Sequence, residues 1–528
     1  MTNTTNITNE NQTNSLETII SCYLAPYKQI LILGLGISGV ASLKFFAQHG
    51  NLPVVAVDDS SAVLDKARQN FALQNYRNSI IFTKFNSEIN YSLPTLVVAS
   101  PGIPLYLPSP HPIIDLISCQ PKSLITCDLA IFQQIFGSNI YVGITGTNGK
   151  STTTALTDFA FNRLNIKTYS GGNIGNSCFE LINSSNYSYE ANYVLEASSY
   201  QLSLMNYCRF NIASLSNITP DHLERHGGFA NYCQAKMNIF RQQTAEDFAI
   251  INIDNKTSAN IYYNFKNHNF LAQTIAITTV ESNRQILESA NFAVAIFKGT
   301  LYHNLDGDIK SIGCSSEFLR GAHNDANLAT AFAIIKSYLA IKNLSPQDLK
   351  KQQEKQNLRV NIIDNICDQN IIDSIVDFRG LSHRLQIVKT INFQDAKINF
   401  INDSKATNAE STEVALKSFD NIFWILGGVA KEGGIGILEK YFYKINKAYL
   451  VGESSKEFAK ILLKNNVSFV FAETLENAVK IAWQDLSAQH NLAEKNLLLS
   501  PACASFDQWQ NFEKRGEAFC DAIKNINI

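Results

Sequence analysis

Gly143-Ile144-Thr145-Gly146-Thr147-Asn148-Gly149-Lys150-Ser151-Thr152 is the stretch from which the fold is read. An apolar run, Tyr141 to Ile144, leads into it, and a segment with helical patterning follows. A strand that ends in glycines and opens a helix directs backbone N–H groups, an ammonium and hydroxyls to one place, which suits a triphosphate with Mg²⁺. The spacing is not that of the strict phosphate loop, because Ile144 stands where its first glycine belongs. The variant is still specific enough to make Gly146, Thr147, Asn148, Gly149, Lys150, Ser151 and Thr152 the expected ATP site.

Upstream, Gly34-x-Gly36-x-x-Gly39 lies between an expected strand, Gln29 to Leu33, and an expected helix, Val40 to His49. Asp58 follows the next strand, Val54 to Val57. Alone, this dinucleotide-type fingerprint suggests NAD. Physically it offers amides at a helix start, suited to any diphosphate, and the second glycine loop makes ATP the better expectation. Strand Leu96 to Ala99 ends at Ser100-Pro101-Gly102. Beyond the phosphate loop come apolar strands at Tyr193 to Leu195, Ile212 to Leu215 and Phe248 to Ile253. A last set lies at Ile398 to Ile401, Ile422 to Leu426, Ala448 to Val451 and Asn496 to Leu499. Strands alternating with helix-length segments predict α/β domains with parallel sheets. The expected division is a flexible leader (1–27), a first domain (28–130), a central domain (131–380) and a last domain (381–528). A polar insertion is expected at about 346–375, around the Lys/Gln run Lys350 to Gln356.

Composition narrows the function. Among 528 residues, 44 basic against 46 acidic side chains leave a net charge of −2, without the basic excess that nucleic-acid binding needs. The most apolar stretch, Ile30 to Leu43, is broken by three glycines and closed by Lys44, short of the 18 or more apolar residues of a membrane span. The Thr- and Asn-rich start, Met1 to Glu17, has neither half of a secretory signal, so a cytoplasmic location is expected. Ten cysteines without a CxxC pair read as reduced thiols.

Glu196 ends a strand in Val194-Leu-Glu-Ala-Ser-Ser-Tyr-Gln201, and His222 follows another in Asn217-Ile-Thr-Pro-Asp-His-Leu-Glu224. Both belong at the ligand edge of a parallel sheet, where carboxylate and imidazole suit metals that bridge ATP phosphates. The order of the phosphate loop, Gly171-Gly-Asn173-Ile-Gly175, the Glu196 segment and the Asp221-His222 segment resembles the Mur ligase family.

That resemblance implies three domains: an N-terminal Rossmann-like UDP-binding domain, a central P-loop ATPase-type α/β domain and a C-terminal Rossmann-like α/β domain. It implies UDP-substrate contacts at Gly36, Ile37, Ser38, Asp58 and Asn173, and ATP contacts at Asn324, Asn327, Arg384 and Asp403 as well as the phosphate loop. Metal ligation by Ser151, Glu196, His222 and Lys236 follows in the same way, Lys236 as a carbamate. Asn402-Asp-Ser-Lys-Ala-Thr-Asn408 and Leu499-Ser-Pro-Ala-Cys-Ala-Ser-Phe-Asp-Gln-Trp509 are similar to the D-glutamate-adding branch. They imply catalytic roles for Asp403 and Lys405, with Lys150, Glu196, His222 and Lys236, and D-glutamate contacts at Thr407, Lys431, Ser505 and Phe512. The implied enzyme is a monomer that uses ATP and Mg²⁺ to join D-glutamate to UDP-N-acetylmuramoyl-L-alanine. Folylpolyglutamate synthase shares this chemistry but has no need of the first glycine turn. A non-catalytic nucleotide-binding paralogue would not need Lys150, Glu196, His222 and Lys236 together, and an NAD oxidoreductase leaves the second loop unexplained.

Overall fold

The computed structural model describes residues 7–72, 76, 78–85, 89–106, 109–137, 139–173, 177–183, 191–268, 270–343, 366–430, 433–489 and 492–526. Two compact units result: one of Met1–Cys314 with Ala326–Ile375, the other of Ser315–Asp325 with Val376–Ile528.

The first unit holds two sheets. In the smaller, five parallel strands run in the spatial order Ile80–Thr83, Val54–Val57, Gln29–Leu33, Thr95–Ala99 and Leu124–Thr126. Central strands here are buried on both faces, which is why they read as unbroken apolar runs rather than alternations. Fully burying each such Ile, Leu or Val side chain is worth about 1.5–3 kcal/mol. The order reverses between Gln29–Leu33 and Thr95–Ala99, so the carboxyl ends of these two strands open a crevice at a topological switch point.

The larger sheet has nine strands, in the order Lys310–Gly313, Thr300–His303, Phe292–Phe297, Gln273–Thr278, Phe248–Asn252, Ile212–Leu215, Tyr141–Thr145, Asn192–Glu196 and Thr168–Gly172. Only the pairings made by Thr300–His303 are antiparallel among those described. Lys298 and Gly299, both at positive φ (49° and 76°), form the two-residue turn into that strand, a backbone twist suited to a tight hairpin. The second switch point lies beside Tyr141–Thr145, whose neighbours are Ile212–Leu215 and Asn192–Glu196. Phe179 stacks on Phe45 at 4.3 Å and meets Phe132 edge-on at 6.2 Å, so aromatic packing joins helices that serve the two sheets.

Two stretches differ from the expectation drawn from polarity. The leader contains a helix, Ile7–Leu24, whose Leu16, Ile20 and Leu24 recur at fourfold spacing and are buried. Of the polar insertion, 346–365, including the Lys/Gln run, lies outside the described residues. Its end forms most of the helix Asp368–Val376, with Ile371, Ile372 and Ile375 buried. Asp368 fastens this helix to the first unit, accepting from Lys336 Nζ at 2.9 Å and lying 3.1 Å from His303 Nε2.

The second unit is built on six strands in the order Gln386–Phe393, Ala396–Asn402, Glu494–Leu499, Ile422–Gly427, Ile445–Val451 and Phe469–Glu473. Gln386–Phe393 is antiparallel to its neighbour, joined through Gln394 and Asp395 at positive φ. Buried side chains on both faces include Trp424, whose indole N–H donates to the Ser500 carbonyl at 2.8 Å. Asn408 and Asn511 cap their helices by accepting from Ser411 N and Lys514 N. Among the described residues no helix is long and apolar enough to cross a membrane.

Candidate active site

The first glycine turn is held by Asp58. Its Oδ2 accepts from Leu35 N at 2.8 Å and its Oδ1 from Ser60 N at 2.9 Å, so the carboxylate organises the turn backbone. Gly34 has φ 86°. A Cβ on Gly39 would stand 1.9 Å from the Gly34 carbonyl oxygen, so this third glycine permits the helix to approach the turn. A Cβ on Gly36 would meet nothing within 4 Å, and Ile37 beside it is 72% exposed. The turn therefore offers an open face at Gly36, Ile37 and Ser38, bounded by Ser100, whose Oγ donates to Gly34 O at 2.7 Å.

The phosphate loop leaves Tyr141–Thr145 and enters the helix Lys150–Arg163. Gly146 and Gly149 have φ 153° and 88°, values that side-chain-bearing residues rarely adopt. Asn217 grips the loop from the neighbouring strand end: its side chain accepts from Asn148 N at 2.9 Å and donates to Asn148 O at 3.1 Å, and its carbonyl accepts from Thr147 N. Lys150 Nζ folds back on the carbonyls of Gly146 (2.9 Å) and Thr147 (2.8 Å). Lys236 Nζ donates to the same Gly146 carbonyl at 2.7 Å. Ser151 is buried at the helix start, and Thr152 is half-buried.

Lys236 is 2% exposed, and its ammonium lies 4.7 Å from the Tyr232 ring centre. Burial, and then the nearby charge of Lys150, push its pKa down to about 7, against the partial support of Asp221 and Glu196. At pH 7 an amine in that state is about half neutral, and the neutral fraction is the nucleophile.

Glu196 is equally buried. Its Oε1 accepts from Asn173 Nδ2 at 2.9 Å, and its Oε2 has no partner. A buried carboxylate oxygen without a donor fits a hard cation; the Ser151 hydroxyl and the half-exposed His222 imidazole would be further ligands, and Lys236, whose ammonium here donates to Gly146 O, would be one only as a carbamate. Asn173 thus commits its amide to Glu196. Its close approach depends on Gly172, where a Cβ would lie 2.3 Å from Glu196 O. His222 has φ 52°, stands 3.5 Å from Asp221 and faces the Tyr200 ring. Asn327 accepts from Thr153 Oγ1 at 3.0 Å and lies against Gly149.

The other expected residues lie in the second unit. Asn324 donates to Arg320 O at 2.9 Å. Asp403 is buried, its Oδ2 accepting from Ser500 Oγ at 2.7 Å and its Oδ1 from Leu385 N at 3.2 Å. Burial raises its pKa to about 7, partly opposed by these bonds and by Arg384 and Arg515. Lys405 Nζ sits 5.1 Å from the Phe512 ring centre, and Thr407 N donates to Lys405 O. Ser505 is buried, its carbonyl accepting from Trp509 N at 2.8 Å. Asp403, Lys405, Thr407, Ser505 and Phe512 thus gather at one end of the six-stranded sheet, whereas Lys431 lies outside the described residues.

Sequence reasoning passed over several participants. Asn217 opened a quoted motif without a role, and Tyr232 and Arg515 lay outside the quoted motifs. Tyr232 precedes Lys236 by four, one helix face, a signal that was present. Arg515 gave none: it is fully buried and donates to Ser404 Oγ (3.0 Å), Ser404 O (2.8 Å) and Cys503 O (3.0 Å), tying together two loops a hundred residues apart.

The Mur ligase middle domain matches residues 144–335. The UDP-N-acetylmuramoylalanine–D-glutamate ligase of Wolbachia pipientis wMel is 33% identical, over 94% of this chain and 97% of that protein. The enzyme of the same name from Rickettsia bellii is 34% identical, over 95% and 98%. A crystal structure of MurF from Acinetobacter baumannii shares the fold, with a TM-score of 0.53 at 14% identity over 96% of this chain and 98% of that one. The chain belongs to the Mur ligase family, with UDP-N-acetylmuramoylalanine–D-glutamate ligases as full-length relatives.

Proposed function

We propose that the chain catalyses ATP-dependent addition of D-glutamate to UDP-N-acetylmuramoyl-L-alanine, a step in peptidoglycan precursor synthesis. The observation that carries this reading is the convergence of Lys150 and Lys236 on the Gly146 carbonyl, in a phosphate loop whose sheet edge also holds the unpartnered Glu196 Oε2. Such an edge is built to handle polyphosphate charge. The amino acid follows from the names of the full-length relatives.

In the first step the alanyl carboxylate attacks the γ-phosphorus of ATP; a carboxyl O–P bond forms, the β–γ bridge breaks and ADP leaves. The amides of Gly146 to Thr152 bind the phosphates, and Lys150, released from its two loop carbonyls, offsets the charge that develops. Lys236 adds through its neutral amine to carbon dioxide, losing one proton and becoming an anionic carbamate. Mg²⁺, held by Ser151, Glu196, His222 and that carbamate, would neutralise phosphate oxygens and keep the reacting atoms in line. In the second step the D-glutamate amine attacks the acyl carbon, and the tetrahedral species collapses with loss of phosphate. Lys405, Thr407, Ser505, Phe512 and Lys431 bind the amino acid, a cation and hydroxyls suiting its two carboxylates. The five-stranded sheet's glycine turn takes the UDP end through Gly36, Ile37 and Ser38.

The test is phosphate release from ATP in the presence of UDP-N-acetylmuramoyl-L-alanine, with D-glutamate, L-glutamate or L-lysine added. Release that depends on D-glutamate is the expected result; none with D-glutamate would refute the assignment.

A further inference from the structure

Arg225 follows the His222 segment and has no part in the chemistry described so far. It belongs to the single helical turn Leu223–His226, which His222 opens and which Gly227, at φ 70°, closes. Three side chains from this stretch gather on one ring, that of Tyr200, in the short helix just beyond Glu196. His226 lies parallel to the ring with centres 5.3 Å apart, His222 is 5.2 Å away, and the Arg225 guanidinium carbon stands 5.0 Å from the ring centre. His226 Nε2 also lies 3.0 Å from Ser199 Oγ. The His222 turn is therefore seated on the segment that follows Glu196.

From that seat Arg225 reaches the other sheet. Its Nη2 donates to Gly102 O at 2.8 Å and to Pro101 O at 3.4 Å, 123 and 124 residues earlier in the chain. Pro101 and Gly102 belong to the loop that leaves strand Thr95–Ala99 at the first switch point. That loop keeps its own shape without Arg225: Ser100 Oγ donates to Gly34 O at 2.7 Å, and Ile103 N donates to Ser100 O at 3.0 Å. What the arginine adds is attachment of the loop to the His222 turn. A guanidinium suits this task, since it can donate to carbonyls while packing on an aromatic ring.

We infer that Arg225 is a positioning residue: by clasping the Ser100–Gly102 loop to the His222 turn, it fixes the first glycine turn relative to the phosphate-handling edge at Glu196 and His222. This rests on the proposed function, which puts the UDP end of the precursor at the turn and its reacting carboxylate at that edge. UDP alone and ATP each engage one side of the clasp. Only the full precursor engages both.

The experiment compares Arg225→Ala and Arg225→Lys with the wild type. Lysine keeps a positive charge and a donor for one carbonyl but has no planar fork. Measured are kcat, KM for UDP-N-acetylmuramoyl-L-alanine, KM for ATP, the melting midpoint, and calorimetric binding of UDP alone and of the full precursor. Arg225→Ala is expected to raise KM and Kd for the precursor about tenfold and to lower kcat about tenfold, with UDP and ATP changed less than about twofold. Arg225→Lys is expected to recover part of this, with a loss of about threefold in each. Equal weakening of UDP and precursor would place the effect in the loop alone, and equal weakening of ATP and precursor would place it in the His222 turn alone; either overturns the inference. Precursor binding and turnover unchanged in Arg225→Ala, with or without a lowered melting midpoint, would overturn it as well. If Arg225→Ala does not fold, Arg225→Lys decides. A wild type that binds neither UDP nor the precursor refutes the proposed function itself, an outcome distinct from any difference between variants.

Discussion

Gly36 and Gly39 sit three residues apart in one turn, and the structure predicts opposite consequences for giving each a methyl group. At Gly39 the new Cβ would lie 1.9 Å from Gly34 O and 3.0 Å from Ser100 Oγ. Ordinary contact begins near 3.4 Å, so the helix Ile37–His49 would have to retreat by more than about 1 Å from the strand end it packs on, and overpacking of this kind costs about 1–3 kcal/mol. The retreat would also stretch the bond from Leu35 N to Asp58 that shapes the turn. At Gly36 the backbone is extended (φ −70°, ψ −167°) and a Cβ meets nothing within 4 Å. Gly36→Ala is therefore tolerated by the fold and should raise stability by up to about 1 kcal/mol through the unfolded chain. What it obstructs is the space where a diphosphate would approach the amides. Calorimetric melting combined with substrate kinetics separates the two. Gly39→Ala should lower the melting midpoint by several degrees and weaken the UDP precursor. Gly36→Ala should leave the midpoint unchanged or higher and raise KM for the precursor about tenfold or more, with KM for ATP unchanged. A Gly36→Ala enzyme with unaltered KM for the precursor would show that no ligand approaches this face of the turn.

The remaining predictions concern charge. Lys150→Met should lower kcat about a hundredfold or more while leaving the melting midpoint near its original value, as read by phosphate release and circular dichroism. Lys236, with a pKa of about 7, has about half its amine neutral at pH 7, against about one part in three thousand for an ordinary lysine. The wild type should therefore show a bicarbonate-dependent carbamate resonance with ¹³C label near pH 8, absent from Lys236→Arg, which should also lose activity. Asp403 has a raised pKa, about 7 when folded against 3.8 ordinarily, so the folded state binds more protons between those values and stability falls as pH rises through that window. Asp403→Asn should then be more stable than the wild type at pH 8 by up to about 4 kcal/mol and lose that advantage below pH 4, although inactive; denaturant melts at the two pH values measure it.

Much of this molecule is legible without coordinates because its parallel strands are buried on both faces. Gln29–Leu33, Val54–Val57 and Ile212–Leu215 stand out as apolar runs between turn residues, and the structure has strands at these same residues. The phosphate loop is legible for a related reason: glycines at positive φ followed by Lys and Ser are a local requirement, met by adjacent residues. Antiparallel strands escaped. Gln386–Phe393 is half-buried and mixed in character, and Thr300–His303 and Lys310–Gly313 are short, so their pairing depends on the partner strand rather than on their own composition. The helix Ile7–Leu24 escaped because Thr and Asn dilute its apolar residues, of which Leu16, Ile20 and Leu24 are buried.

By itself, then, the order of residues determined that two glycine loops follow two buried strands, that the phosphate loop with Lys150 and the Glu196 segment follow one another in an order that resembles the Mur ligases, and that the last part of the chain carries strings similar to those of the D-glutamate-adding ligases. Tertiary structure alone decided that Lys150 and Lys236 share the Gly146 carbonyl, that one oxygen of Glu196 is left without a donor, that Asp58 serves the turn backbone, and that the buried Asp128 accepts from Ser177 Oγ about fifty residues away. Proton affinities and unpaired atoms depend on desolvation and on neighbours brought from far along the chain, and neither is encoded in any local stretch.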